Sequence, residues 1–200
     1  MLWFLTDHEQ PAARTLAIAE QLVGCAELVL MFRDKRDAWD RALLLRLCAL
    51  PIPLVINVGA VSAQIAEERG ALGWHAPEAV WRAHDTYESL PCSVADHDGE
   101  GLTYARAKGI PVVVVSPIAI DKGRAARGFA ALTAAADDPL RVGLGGLHSM
   151  QDARNAHAAG AAGIAVQRAL YRSADPAALA AELVAPFGVG AVARLRARFG

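Results

Sequence analysis

Several stretches of this sequence carry side chains that could hold an anion or move a proton. Arg33 and Lys35 stand in the burst Arg33-Asp34-Lys35-Arg36-Asp37. A guanidinium and an ammonium two residues apart can clamp a phosphate or diphosphate, and they can equally form a solvated loop. Gly145-Gly146 ends an apolar run; paired glycines let backbone N–H groups approach an oxyanion with no Cβ in the way, although a plain tight turn uses the same residues. Gln167-Arg168 follows Ile164-Ala165-Val166 and adds an amide and another guanidinium, and Lys122 closes the loop that begins at Ser116. In Asp96-His97-Asp98 the imidazole is the side chain suited to general acid–base work near neutral pH. The same tripeptide could instead cap the helix that follows.

These groups act together only if the fold brings them to one place, and the hydrophobic pattern predicts how. Short apolar runs read as strands at Leu2 to Leu5, Glu27 to Phe32, Leu54 to Asn57, Ala71 to Trp74, Cys92 to Ala95, Val112 to Val115, Arg141 to Leu144 and Ile164 to Val166. Helical patterns lie between them at Pro11 to Val23, Ala38 to Leu50, Val61 to Arg69, Pro77 to His84, Glu100 to Lys108, Arg124 to Ala136 and Met150 to Ala159, then at Pro176 to Val184 and Val189 to Arg198. Pro11 in a first turn, Gly70 after a last turn and Ser149 as an N-cap mark boundaries. Four successive valines at 112 to 115 predict a strand buried on both faces, as parallel sheets require.

Eight strand–helix units in 200 residues predict a single-domain (β/α)8 TIM barrel over residues 1–200, with a C-terminal helical extension at about 188–199. A doubly wound open sheet is the competing arrangement, but no Gly-x-Gly-x-x-Gly follows the first strand. In such barrels the active site lies at the C-terminal ends of the strands, and the loops after strands seven and eight commonly hold phosphate. One mouth should therefore collect Asp7 and His8, Arg33 and Lys35, Asn57, His75, Asp96 and His97, the loop Ser116 to Lys122, Gly145 and Gly146, and Gln167 and Arg168.

Composition narrows the partners. With 54% hydrophobic residues and a net charge of −1, a chain of this length can bury about 70% of its unfolded surface. There is no basic block to suit nucleic acid. No run of eighteen apolar residues occurs, and the stretch Met1 to Asp7 has neither a basic leader nor a cleavage site, so a cytoplasmic protein without a membrane partner is expected. Cys25, Cys48 and Cys92 are odd in number and far apart, which fits reduced core thiols.

Six segments, in order, are similar to the thiamine phosphate synthase and TenI family. Leu2 to Asp7 (LWFLTD) resembles that family's LYLITD, Met31 to Lys35 (MFRDK) its VQLREK, and Pro53 to Asn57 (PLVIN) its PLIIND. Gly70 to His75 (GALGWH) resembles GADGVHLGQ, Val142 to Leu147 (VGLGGL) resembles VAIGGI, and Gly160 to Tyr171 (GAAGIAVQRALY) resembles GADGVAVISAI. The resemblance implies a (β/α)8 barrel, often a homodimer, that handles a phosphorylated thiazole; the synthases also join a pyrimidine diphosphate to it with magnesium.

Carried over residue by residue, the resemblance makes Arg33 and Lys35 a diphosphate-binding pair. It assigns Asn57, Gly145, Gly146, Gln167 and Arg168 to substrate and phosphate binding, with Arg168 in place of a serine. The family's metal-binding aspartates correspond to Val58 and to a position near Val80, its strand-five serine to Ala95, and the tautomerases' histidine to Pro117. A magnesium site loses its oxygen ligands by these exchanges. The first expectation is accordingly a metal-independent, TenI-like proton-transfer enzyme with His97, Lys122 and Arg33 as the catalytic set, no metal and no cofactor, and a small thiazole-type phosphate as ligand. One alternative is a true synthase using magnesium; another is a non-catalytic barrel that keeps only the phosphate cradle.

Overall fold

The computed structural model describes residues 1–83, 88–120 and 123–199. Eight parallel strands close into a barrel in chain order: β1 (Leu2–Leu5), β2 (Leu28–Arg33), β3 (Leu54–Asn57), β4 (Gly73–Ala76), β5 (Ser93–Asp96), β6 (Val112–Val115), β7 (Leu140–Leu144) and β8 (Gly163–Val166). Closure is made by β1 on β8, with Leu2 opposite Ile164 and Phe4 opposite Val166. The helices are α1 (Ala12–Gln21), α2 (Arg41–Cys48), α3 (Ser62–Arg69), α4 (Glu78–Ala83), α5 (Glu100–Lys108), α6 (Met150–Ala158), α7 (Arg168–Arg172), α8 (Pro176–Val184) and α9 (Ala191–Phe199).

Alternation along each strand sends successive side chains to opposite faces. Phe4, Leu30, Phe32, Ile56, Trp74, Val94, Val113 and Ile164 join the layer between strands and helices. Trp3, Leu5, Val29, Met31, Val55, Val112, Val114, Val142 and Ala165 fill the barrel interior. Interior residues of the last strand positions are polar instead: Arg33, Asn57 and His75 continue the inward series toward the C-terminal end. The opposite end is closed by α9, whose Ala191, Val192 and Leu195 belong to the interior cluster. The buried Glu27 carboxylate accepts the N–H groups of Gly190, Ala191 and Val192, so a charge from the β2 entry satisfies the open donors of the α9 N-terminus.

Besides the start of α2 at Arg41, behind its Asp40 N-cap, rather than at Ala38, and the unexpected α7, two expected elements differ. β4 begins at Gly73 rather than Ala71, because the Ala71 N–H donates to Ala66 O at 3.0 Å and is used to close α3 after Gly70. His75 therefore lies inside a strand and not at its end. The helix expected from Arg124 to Ala136 does not form; among its described residues the β6–β7 connection contains only a 3-10 turn at Phe129–Leu132. Arg127 N–H donates to Pro117 O at 2.8 Å and Gly128 N–H to Ile118 O at 3.0 Å, so donors that a helix would use are paired back to the chain leaving β6. Gly128, at φ 70° and ψ 169°, lies outside helical geometry.

Candidate functional site

The C-terminal ends of the strands open into a cavity of about 820 Å³. β1 delivers Asp7 and His8 to it, β2 delivers Arg33 and Lys35, β5 delivers His97, and β8 delivers Gln167 and Arg168. Ser116, Ile120 and Arg124 come from the segment after β6, and Gly145 from the end of β7. Four cations, Arg33, Lys35, Arg124 and Arg168, thus face two carboxylates, Asp7 and Glu9. Among the described residues only Arg124 of these four forms an ion pair, with Glu78 at 2.9 Å.

Arg33 is anchored to the barrel through its main chain. Its backbone is locked to β1, since Arg33 N–H donates to Thr6 Oγ1 at 2.8 Å and the Thr6 hydroxyl donates to Arg33 O at 3.1 Å. Burial pulls its guanidinium below the usual arginine range, with the neighbouring Asp7 carboxylate acting in the opposite direction. A cation held in this state is electrostatically suited to an incoming oxyanion.

Two smaller spaces adjoin the mouth. One, of about 400 Å³, is lined by Gly146, Leu147, His148, Arg172 and Ser173 and shares Gly145, Gln167 and Arg168 with the main cavity. The other, of about 500 Å³, holds Asn57 beside Trp39 and shares Arg33 and Lys35. Asn57 is therefore placed in a side groove, where its amide faces Met31 Sδ at 3.7 Å. Gln167 is engaged in structure: its Nε2 donates to Thr6 O at 3.1 Å across the β8–β1 seam. Lys122, expected in the catalytic set, lies outside the described residues.

The glycine pair has a different cause from the one its sequence suggests. At Gly145 (φ 104°) a Cβ would lie 3.1 Å from Pro117 Cα, and at Gly146 (φ 81°) 2.7 Å from Ile120 Cγ2 and 3.1 Å from the Ala119 carbonyl carbon. Ile118 N–H donates to Leu144 O at 3.0 Å and Ala119 N–H to Gly145 O at 2.9 Å. The space left by the missing side chains is filled by the chain's own β6 loop, not by a ligand. The N–H groups of Gly146 and Leu147 donate to no acceptor among the described residues, and both residues line the smaller hollow.

The Asp-His-Asp tripeptide divides its labour. Asp96 Oδ1 accepts Gly99 N–H at 2.8 Å and Gly101 N–H at 3.1 Å, and Oδ2 accepts Arg127 Nη1 at 2.8 Å. Asp98 accepts Glu100 N–H at 3.0 Å and binds Arg82 at 2.7 Å. Both carboxylates are thus structural, and His97 alone lines the mouth. Its Nδ1 is 3.0 Å from both the carbonyl O and Oγ of Ser116, and its Nε2 is 3.7 Å from Glu78 Oε2. Glu78, Arg124 and Arg127 were not legible as site residues: Glu78 reads as an ordinary first-turn acid, and both arginines sit in a stretch with a helical pattern.

His75 is buried beneath the mouth, with Nδ1 2.9 Å from Ser93 Oγ. Burial first, then the positive field of Arg33 and of His97, pushes its pKa down to about 3, so it is a neutral hydrogen-bonding group. Cys92 is also inert, its thiol pushed up to about 12 by burial.

The residues do not fit a synthase-type magnesium site. Val58 and Val80 offer no oxygen, and the Asn57 amide faces sulfur. The nearby Asp34 carboxylate is already occupied: burial would raise it, but hydrogen bonds from Arg36 and from the Arg36 and Asp40 N–H groups outweigh that and hold it at about 2. Among the described residues no group of three or more His, Cys, Asp or Glu side chains is placed to hold a metal. A hard divalent ion wants about six oxygens, which this set cannot supply.

No single helix among the described residues is long and apolar enough to cross a membrane. No family model and no curated protein matches the sequence. Solved structures do match in shape. Thiamine phosphate pyrophosphorylase from Pyrococcus furiosus is similar at a TM-score of 0.70 and 15% identity, over 93% of this chain and 94% of that one. The enzyme of that name from Bacteroides thetaiotaomicron matches at 0.58 and 17%, over 91% and 93%. (S)-3-O-geranylgeranylglyceryl phosphate synthase from Thermoplasma acidophilum, solved with its substrate sn-glycerol-1-phosphate, matches at 0.62 and 14%, over 93% and 92%. At these identities the likeness is one of fold: the chain is a (β/α)8 barrel built like those of the thiamine phosphate pyrophosphorylases.

Proposed function

We propose that the barrel mouth binds a small phosphorylated heterocycle of the thiazole phosphate class and moves a proton on it without a metal. The observation that carries this reading is the set Arg33, Lys35 and Arg168, three cations without an ion-pair partner among the described residues, around one cavity that also presents His97. Arg168 and the free N–H groups of Gly146 and Leu147 would take the phosphate, since a guanidinium and backbone donors suit its oxygens. Arg33 and Lys35 would stabilise negative charge that develops as the proton leaves, and Lys122 remains a proposed further cation. His97 would be the base.

Support for the class comes from two directions. The six collinear segments resemble the thiamine phosphate synthase and TenI family, and the structural neighbours carry names of enzymes that act on phosphates. The synthase alternative is disfavoured by Val58 and Val80, where its metal carboxylates would stand.

The test is a calorimetric titration with a thiazole phosphate together with proton exchange in D2O followed by NMR. Micromolar to low millimolar binding, competed by inorganic phosphate, and exchange that persists in EDTA are expected. Binding without exchange would make the protein a non-catalytic phosphate-ligand barrel; no binding would refute the reading.

A further inference from the structure

We infer that Glu78 is the positioning residue of the proton-transfer site, acting through His97 so that Nε2 is the nitrogen that takes the proton. This rests on the reading that His97 is the base, and it fixes which atom reacts and what supports it.

The argument begins at Nδ1. It lies 3.0 Å from Ser116 O, and a carbonyl oxygen can only accept. Nδ1 must therefore carry the hydrogen in the neutral ring. Ser116 Oγ, also at 3.0 Å, shares that donor. This excludes Ser116 as a nucleophile activated by His97, because such activation needs a lone pair on Nδ1. The lone pair is on Nε2. At 3.7 Å from Glu78 Oε2, Nε2 makes no hydrogen bond in the neutral state, and a proton arriving there meets a carboxylate at once. In the imidazolium, both nitrogens have acceptors: Ser116 O on one side and Glu78 on the other.

Glu78 is itself held in place. Its Oε1 accepts Arg82 Nε at 2.9 Å, and its Oε2 binds Arg124 Nη1 at 2.9 Å. Arg82 is braced in turn by Asp98 and Glu100. Three elements, α4, the β5 loop and the segment after β6, thus converge on one carboxylate. The remaining charged neighbours of His97 are accounted for. Asp96 is neutralised by Arg127 at 2.8 Å, His75 is uncharged, and Arg33 presents a positive charge from the barrel interior. Glu78 is the carboxylate that faces the ring. Proton balance needs no other reactant: Nε2 takes a proton from substrate carbon, the C–H electron pair stays on the substrate, and the imidazolium returns the proton to a neighbouring position.

The tautomer is read directly by two-bond ¹H–¹⁵N correlation of the imidazoles, with His97→Gln for assignment. A protonated Nδ1 and an unprotonated Nε2 are expected at neutral to alkaline pH, unchanged in Ser116→Ala because the carbonyl remains. An Nε2–H tautomer, or a switch on Ser116→Ala, overturns the inference.

With a thiazole phosphate, Glu78→Gln should lower the exchange kcat by about tenfold at unchanged KM, with partial rescue by Glu78→Asp. Lack of exchange in the native chain would overturn the proposed function, whereas an Nε2–H tautomer overturns the inference whether or not exchange is seen. Exchange in the native chain that Glu78→Gln leaves unaltered would overturn the inference alone.

Discussion

Buried His75 makes the pH dependence of stability a sharp test of how the barrel interior is wired. Its side chain is 5% exposed, bonded to Ser93 Oγ at 2.9 Å, and its pKa in the folded chain is pushed down to about 3 from 6.5. A base depressed on folding binds its proton more weakly in the native state. The unfolded chain therefore gains protons first as pH falls, and stability declines from pH 6.5 downward, levelling near pH 3. At pH 5 the loss from this residue is about 2 kcal/mol, from 1.36 kcal/mol per unit acting over the roughly 1.5 units below the unfolded value. Urea unfolding of the native chain and of His75→Gln at pH 7.5 and pH 5 isolates it, because every other titrating group is common to both. The native chain should lose about 2 kcal/mol more than the variant. A difference under about 0.5 kcal/mol would mean that His75 ionises in place, and the neutral reading of the barrel interior would be wrong.

Other expectations follow from particular contacts. Arg33→Met should weaken binding of a thiazole phosphate by about tenfold or more, as loss of one charge-assisted contact implies, while raising the thermal midpoint of the free protein slightly, because an unpaired, partly buried guanidinium is removed; calorimetry and a melting scan read both. Gly146→Ala should destabilise by about 2 kcal/mol in urea unfolding, since φ 81° and a Cβ 3.1 Å from backbone act together. Asp96→Asn should cost about 2–3 kcal/mol by leaving Arg127 without its partner, and adding Arg127→Met should recover part of that in a double-mutant cycle.

The fold was largely legible because a barrel writes itself in short-range pattern. Strand runs such as Val112–Val115 are apolar on both faces, and the boundary at Ser149, in a capping box with Asp152 at the start of α6, depends on neighbours in sequence. What failed depended on distant partners. Nothing local tells that Arg127 and Gly128 pair back to Pro117 and Ile118, so an alanine-rich stretch kept its helical reading although the structure has only a 3-10 turn there. The candidate site divides likewise. The barrel rule found which residues stand at the strand ends, and the cap role of Asp96 could be read because its partners are three and five residues away, but whether Gln167 is a staple or Glu78 a neighbour of His97 is set by contacts across 161 and 19 positions.

The case for an anionic ligand finally turns on how this chain treats its other buried charges. Glu27 is surrounded by three N–H groups at the α9 terminus, Asp34 by Arg36 and two N–H groups, Asp96 by Arg127 and two N–H groups, and Arg141 by Asp138 and the Ala131 carbonyl. Among the described residues these four charges have partners where they are withdrawn from water, as desolvation costs demand, with Arg141 Nε the atom left over. Arg33 departs from that practice at the one place where strands from opposite sides of the barrel meet an open cavity. Its backbone is clamped by Thr6, which fixes the point at the end of β2 from which the side chain enters the mouth. A cation partly desolvated at the mouth and without an ion pair among the described residues is what a site looks like when its counter-charge arrives from outside. Of the ligands that could supply that charge, the proposed phosphate would also use the Gly146 and Leu147 donors and Arg168 on the same cavity.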